Sequence, residues 1–164
     1  MNQNIIPKIV IAVLLAVVVL GGGSYIFYTK KQKANALASL PIPIVINLVD
    51  QPIKGDKNAK NTIVSVEDFK CPNCRRFNNE ILPWVTKEYI DTHKANYSLL
   101  SVAFISGSIT AANAARCLYS QNSDYFFQFA DILFQNQGLE TENWTTTTNL
   151  LELSSQVPGA DQNQ

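Results

Sequence analysis

The chain has 164 residues, 46% of them hydrophobic, and its 13 basic and 13 acidic side chains cancel to a formal charge of zero. That length holds one membrane segment and one modest domain. No basic cluster alternates with aromatics, which argues against nucleic acid as a partner.

Ile9 to Tyr28 carries no charged residue, a stretch of about 20 residues that can cross a hydrocarbon core as a helix. Its centre, Ile9 to Leu20, also suits a signal-peptide core, and Gly21-Gly22-Gly23-Ser24 supplies small residues just beyond it. Tyr25-Ile26-Phe27-Tyr28 prolongs the apolar run with aromatics at the position of an interfacial belt, so residues 1–30 are expected to be an uncleaved anchor, with a cleaved signal sequence as the alternative. Lys8 flanks one side and Lys30, Lys31 and Lys33 the other; a positive-inside count alone would keep the domain in the cytoplasm. The cysteine chemistry described next belongs in an oxidising compartment, and very short N-terminal tails act as signal anchors. The domain is therefore expected on the extracytoplasmic side.

Residues 31–54 read as a linker and lead-in segment. Pro41, Pro43 and Pro52 deny it a helix, and Ile42 to Ile46 is at most an edge strand. Gly55-Asp56-Lys57-Asn58-Ala59 is turn-like and opens a domain spanning 55–164.

Thr62 to Phe69, rich in β-branched residues, predicts a buried strand. Phe77, Ile81, Leu82, Val85 and Tyr89 recur at helical spacing and predict a helix from near Cys74, kinked at Pro83 where a backbone donor is lost. Between them lies Cys71-Pro72-Asn73-Cys74. A thiol at the first turn of a helix faces unpaired N–H groups and the positive end of the helix dipole, so Cys71 is expected to favour the thiolate. Cys74, one turn further in, is better shielded and suits a resolving role. Half of a zinc knuckle looks the same, but a zinc site needs two more ligands, and only Cys117 and His93 are on offer, far apart in sequence.

Tyr97 to Ile105 predicts a second strand, entered from an exposed turn at Thr92-His93-Lys94. Ser108 or Thr110 is the expected cap of a small-residue helix over 111–118, and Ser123 of a helix whose Phe126, Phe127, Ala130, Leu133 and Phe134 form a core stripe ending at Gly138. A weaker helix is expected from Trp144 to Ser155. Cys117 is read as a small buried residue on the Ala-rich helix.

Strand, Cys-Pro-x-Cys box, kinked helix, second strand and helical block together resemble the thioredoxin-like superfamily, and within it the DsbA-like group that includes membrane-anchored BdbD-type thiol–disulfide oxidoreductases. The likeness rests on Gly55 to Ala59, Asp68 to Cys74, Ile81-Leu82-Pro83, Ala111 to Cys117 and Phe126 to Phe134, in the family's order. It implies an α/β thioredoxin-like fold with a DsbA-type helical insertion from about residue 108. It further implies Cys71 as the nucleophile, Cys74 as the resolving cysteine, and Pro72 and Asn73 as residues that tune the site. No cofactor is implied; the implied partners are unfolded or newly exported proteins and a DsbB-like, quinone-coupled membrane protein as reoxidant. Two departures stand out. Relatives place a buried acid six positions before the first cysteine, where this chain has Ser65, with Glu67 and Asp68 nearby at different spacing. Relatives also continue to a strand bearing a cis-proline, and no β-rich segment surrounds Pro158, so the sheet is expected to lack its second half.

The expected function is therefore disulfide formation in exported proteins. A disulfide reductase or isomerase, and a non-catalytic truncated interaction module, are the alternatives.

Overall fold

The computed structural model describes residues 18–33 and 44–162, and the chain divides into two units, residues 1–46 and Asn47–Gln164. In the first unit, residues 18–33 form helix α1, which exposes Val18, Val19, Leu20, Tyr25, Ile26 and Phe27. The first part of the expected anchor lies outside the described residues, as do positions 34–43 of the expected linker. Among the described residues no helix is long and apolar enough to cross a membrane.

The second unit is organised by a sheet of strand order β1-β3-β2, with β1 at Ile53–Lys54, β2 at Thr62–Glu67 and β3 at Asn96–Ser101. β2 runs parallel to β3 and sets Ile63 beside Tyr97 and Ser65 beside Leu99, whereas β1 is antiparallel to β3. A parallel pair requires a long crossover, which the helical run over 72–90 supplies. Both predicted strands are shorter than their apolar runs because Asp68 and Phe69 turn away toward the cysteine box and residues 102–105 turn toward the helical block. β1 falls in the stretch read as linker, where two residues show no period; of Ile42 to Ile46, read as at most an edge strand, residues 44–46 form no strand and residues 42 and 43 lie outside the described residues. Among the described residues the sheet has three strands and no peptide bond is cis.

The crossover is not one kinked helix. It runs as α2 (Pro72–Arg76), a π-helical turn (Phe77–Ile81), α3 (Leu82–Val85) and a second π-helical turn (Thr86–Ile90). Pro83 cannot donate to the preceding turn, and the wider turn just before it absorbs that loss. The wider turns also advance the helix phase. Asn78, Leu82 and Ile90 are buried, while Ile81 and Tyr89, both predicted on the inner face, are 42% and 39% exposed.

Helices α4 (Ser108–Gln121), α5 (Ser123–Gln135) and α6 (Thr147–Ser154) complete the unit. The cap of α5 is Asn122, whose side chain accepts the Asp124 N–H, rather than Ser123; α6 is capped by Thr146 and starts later than predicted. Helix α4 has Gly107 at its N-cap with φ of 82° and no side-chain cap, because the Ser108 hydroxyl is bonded to Asp68 instead. The α5 stripe is core as expected: Phe129 and Phe134 are fully buried, with Phe134 5.3 Å from Phe69 and Phe127 6.1 Å from Tyr97, centroid to centroid. Each such ring contributes about 1.5–3 kcal/mol by burial, and together they lock the strand that leads into the cysteine box against α5. Cys117 does not join this core. It is exposed, because it faces away from the Ala111, Ala115 and Leu118 stripe that packs inward.

Candidate functional site

β2 delivers the chain to the cysteine box, and the turn after it is built by Asp68. The Asp68 carbonyl accepts the Cys71 N–H at 2.9 Å, and its fully buried carboxylate accepts the N–H groups of Lys70 (2.8 Å), Phe104 (2.9 Å) and Ile105 (2.9 Å) and the Ser108 hydroxyl (2.8 Å). One carboxylate thus ties the box to the loop after β3 and to the start of α4. Buried Lys70 repeats the tie, donating from Nζ to the Ser106 carbonyl at 2.8 Å. From α5's far end, Gln137 Nε2 donates to the carbonyls of Phe69 (2.7 Å) and Cys71 (3.1 Å).

Cys71 sits at the N-cap of α2 with extended backbone, φ −76° and ψ 120°, and Pro72 follows in the first turn, where a missing N–H is harmless. No side chain caps this helix, so its first N–H groups face the thiol region. Pro72 and Asn73 are exposed. A cleft of about 940 Å³ opens in front of Cys71, walled by Phe104 to Gly107 on one side and Glu140 to Asn143 on the other. Cys74 is turned inward and packs against the core. Burial pushes its thiol up to about 11, with the neighbouring Cys71 thiol and the charge of Glu67 acting in the same direction and the Asp68 backbone N–H opposing them.

Behind Cys74 lies a buried polar chain. Tyr97 donates to Glu67 Oε1 at 2.9 Å and shares a 2.6 Å hydrogen bond with the Ser65 hydroxyl. Asn78 donates from its amide both to Glu67 Oε2 and to the Cys74 carbonyl, the latter at 2.9 Å. Glu67 is 3% exposed, and burial raises its carboxyl above the ordinary 4.5 despite these donors. His93 and Cys117 take no part in the site: His93 lies in an exposed turn, 3.9 Å from Asp56, and Cys117 lies on α4. Among the described residues no group of three or more His, Cys, Asp or Glu side chains is placed to hold a metal ion.

A family model described as thioredoxin matches residues 47–163. The probable disulfide bond formation protein D of Bacillus cereus is 32% identical over 168 residues, covering the whole of this chain and 74% of that protein. Disulfide bond formation protein D of Bacillus subtilis is 34% identical over 105 residues, 63% of this chain and 47% of that one. The crystal structure of oxidised BdbD from Bacillus subtilis superimposes with a TM-score of 0.67 at 32% identity, over 71% of this chain and 64% of that one. This chain is a DsbA-like thiol–disulfide oxidoreductase of the thioredoxin-like superfamily. Helices α4 to α6 begin at Ser108, where a helical insertion was expected.

Within this DsbA-like site, sequence reasoning placed the two cysteines at the start of the crossover but missed Tyr97, Asn78, Lys70 and Gln137 altogether. For Glu67 a signal was present. Residues 65 and 67 of a strand share a face, so an acid two positions after Ser65 reaches the region that an acid at 65 would occupy.

Proposed function

We propose that this chain forms disulfides in exported proteins, held by its N-terminal segment to the cell membrane with the second unit on the extracytoplasmic side. The observation that carries the redox reading is the asymmetry of the two thiols. Cys71 opens on a cleft of about 940 Å³, and Cys74 is recessed against the core, with burial pushing its thiol up to about 11. In the oxidising direction a substrate thiolate attacks Cys71 Sγ of the Cys71–Cys74 disulfide, and Cys74 leaves as a thiolate that takes up a proton. The substrate's second thiolate then attacks its own sulfur in the mixed disulfide and releases Cys71 as thiolate. The substrate loses two electrons and two thiol protons, and the box becomes a dithiol. Pro72 and Asn73, exposed between the cysteines, set how well the helix end supports the Cys71 thiolate. A DsbB-like, quinone-coupled membrane protein is the proposed reoxidant.

The names of the Bacillus relatives, disulfide bond formation protein D, support formation over reduction. The apolar residues exposed on α1, followed by Lys30, Lys31 and Lys33, support the anchor. The test is oxidation of a dithiol peptide by the oxidised protein at single turnover. Neither Cys71→Ser nor Cys74→Ser can hold the Cys71–Cys74 disulfide, so each abolishes it. If Cys71→Ser oxidises the peptide as fast as the unaltered chain, the proposal fails. Membrane placement is tested separately, by a reporter active only outside the cytoplasm fused after Lys60, which is silent if the domain is inside.

A further inference from the structure

The two walls of the cleft in front of Cys71 differ in chemistry. One is the loop after β3, where Phe104 is 69% exposed and presents an apolar ring. The other is the loop between α5 and α6, where Glu140 and Glu142 both line the cleft and are exposed. That second loop is tied to the cysteine box by named bonds. At its start Gln137 donates to the Phe69 and Cys71 carbonyls, and Arg75 of α2 donates to the Gln137 carbonyl at 3.3 Å. At its end the buried Thr145 hydroxyl donates to the Gly107 carbonyl at 2.7 Å, which joins the acidic wall to the apolar one. Between these anchors the loop closes on itself: the Glu142 N–H donates to the Leu139 carbonyl at 3.0 Å, and Glu142 Oε2 accepts the Leu139 N–H at 3.2 Å. Gly138 lets Trp144 pack across the base of the loop, where an added Cβ would lie 2.7 Å from the indole.

The neighbouring cations do not cancel these carboxylates at the cleft surface. Lys70 is 3% exposed, with its ammonium bonded to the Ser106 carbonyl, and Arg75 does not line the cleft. A substrate entering beside Cys71 therefore meets two exposed negative charges. The attacking group is itself an anion, the substrate thiolate, so the acidic wall opposes its approach unless the substrate brings a positive charge with it. We propose that Glu140 and Glu142 are specificity-determining residues, and that the preferred substrates are polypeptides with Lys or Arg within three residues of the cysteine that attacks Cys71. This rests on the redox reading of the box and leaves the reaction itself as described above. In an extended substrate, side chains up to three residues from the cysteine lie within about 10 Å of it, about one Debye length at 0.1 M salt. Phe104 offers the same apolar contact to every peptide, so discrimination by charge falls to the opposite wall.

The experiment uses the full chain, oxidised, in a Cys117→Ser background so that the exposed third thiol is silent. Three dithiol peptides share one Cys-x-x-Cys core and carry Lys, Gln or Glu on both sides of it. Each single-turnover rate is divided by the rate of the same peptide with a neutral small disulfide at the same pH and salt, which removes the effect of the flanking charge on the peptide's own thiols. The expected order is Lys, then Gln, then Glu, with the Lys peptide about tenfold faster than the Glu peptide at about 0.01 M salt, the low end for a cleft lined by one sign of charge. At about 1 M salt, where the Debye length is about 3 Å, the ratio is expected to fall below about twofold. Glu140→Gln combined with Glu142→Gln keeps the turn, because a glutamine amide oxygen still accepts the Leu139 N–H, and is expected to bring the low-salt ratio to about twofold or less. Glu80→Gln combined with Glu152→Gln removes as much net charge from exposed positions outside the cleft and is expected to leave the ratio at about tenfold. If the unaltered chain oxidises none of the three peptides, the redox reading falls and the preference with it. If it oxidises all three at equal normalised rates, the redox reading stands and the preference is wrong. The assignment to this wall is equally wrong if the ratio survives in the Glu140 and Glu142 variant, or if the Glu80 and Glu152 variant flattens it as far.

Discussion

Glu67 and Asp68 are neighbours in sequence, both carboxylates and both buried, and they are built into opposite kinds of environment. Asp68 meets three backbone N–H groups and one hydroxyl, donors whose positions are set by the turn at Lys70, the loop at Phe104-Ile105 and the start of α4. Glu67 meets one amide and a hydroxyl that is itself paired to another hydroxyl. Three of the four donors to Asp68 are backbone N–H groups, which only donate, so most of its shell is fixed. Hydroxyls reverse, so the Glu67 shell has two bonding patterns. The lesson is that burial alone does not assign a role to an acid; the kind of donor around it decides how many bonding patterns it can adopt.

The widest gap between the two should appear on removing the latch. Asp68→Ala strands three N–H groups and a hydroxyl in a site where each unmet donor costs about 1–3 kcal/mol, and is expected to destabilise the domain by at least about 4 kcal/mol in denaturant unfolding. Asp68→Asn, which keeps the shape but turns one acceptor into a donor, should lose roughly half as much. A loss below about 1 kcal/mol in Asp68→Ala would show that these bonds are replaceable by water. Tyr97→Phe comes next. The ring stays packed against Phe127, but Glu67 and Ser65 each lose a partner, and the expected cost is about 1–2 kcal/mol. Ser108→Ala takes from Asp68 its only reversible donor and leaves three fixed ones, so the cost should be about 1 kcal/mol.

The two acids also mark what the sequence could disclose. The strand, the box and the Phe-rich α5 stripe were legible because each is a local pattern: β-branched residues in Thr62 to Glu67, and helical spacing in Phe126 to Phe134. The cysteines were legible because spacing two residues apart at a helix start is itself the signal. The polar chain was not, because the side chains that bond one another in it lie 11 to 32 residues apart and meet only through the parallel register that sets Ser65 beside Leu99 and brings Tyr97 over the same face. The helix phase failed for a related reason. A 3.6-residue period predicted Ile81 and Tyr89 inside, and two wide turns rotated Asn78 and Ile90 there instead, which is how an asparagine came to bridge Glu67 and Cys74. Cys117 was misread because composition gave its helix an apolar face but not the direction of that face.

The finest test separates the acids by pH rather than by size. Glu67→Gln imitates the protonated acid, so near pH 4 the variant and the unaltered chain should differ by less than about 0.5 kcal/mol, as for a substitution that removes no bond. The folded carboxyl titrates above the 4.5 of the unfolded chain, so between those two values the native state holds a proton that the unfolded state has released. Stability contributed by that proton is complete below 4.5 and declines as pH rises through the raised folded value, where the slope follows the difference in bound protons. Asp131 is raised by burial in the same sense and remains in both proteins, so subtracting the two curves isolates Glu67. The expected difference curve is flat below 4.5, tilts in favour of Glu67→Gln as pH rises, and flattens once Glu67 is ionised. A curve flat throughout would mean that Glu67 gives up its proton as easily in the fold as in water, and the contrast with Asp68 would reduce to geometry.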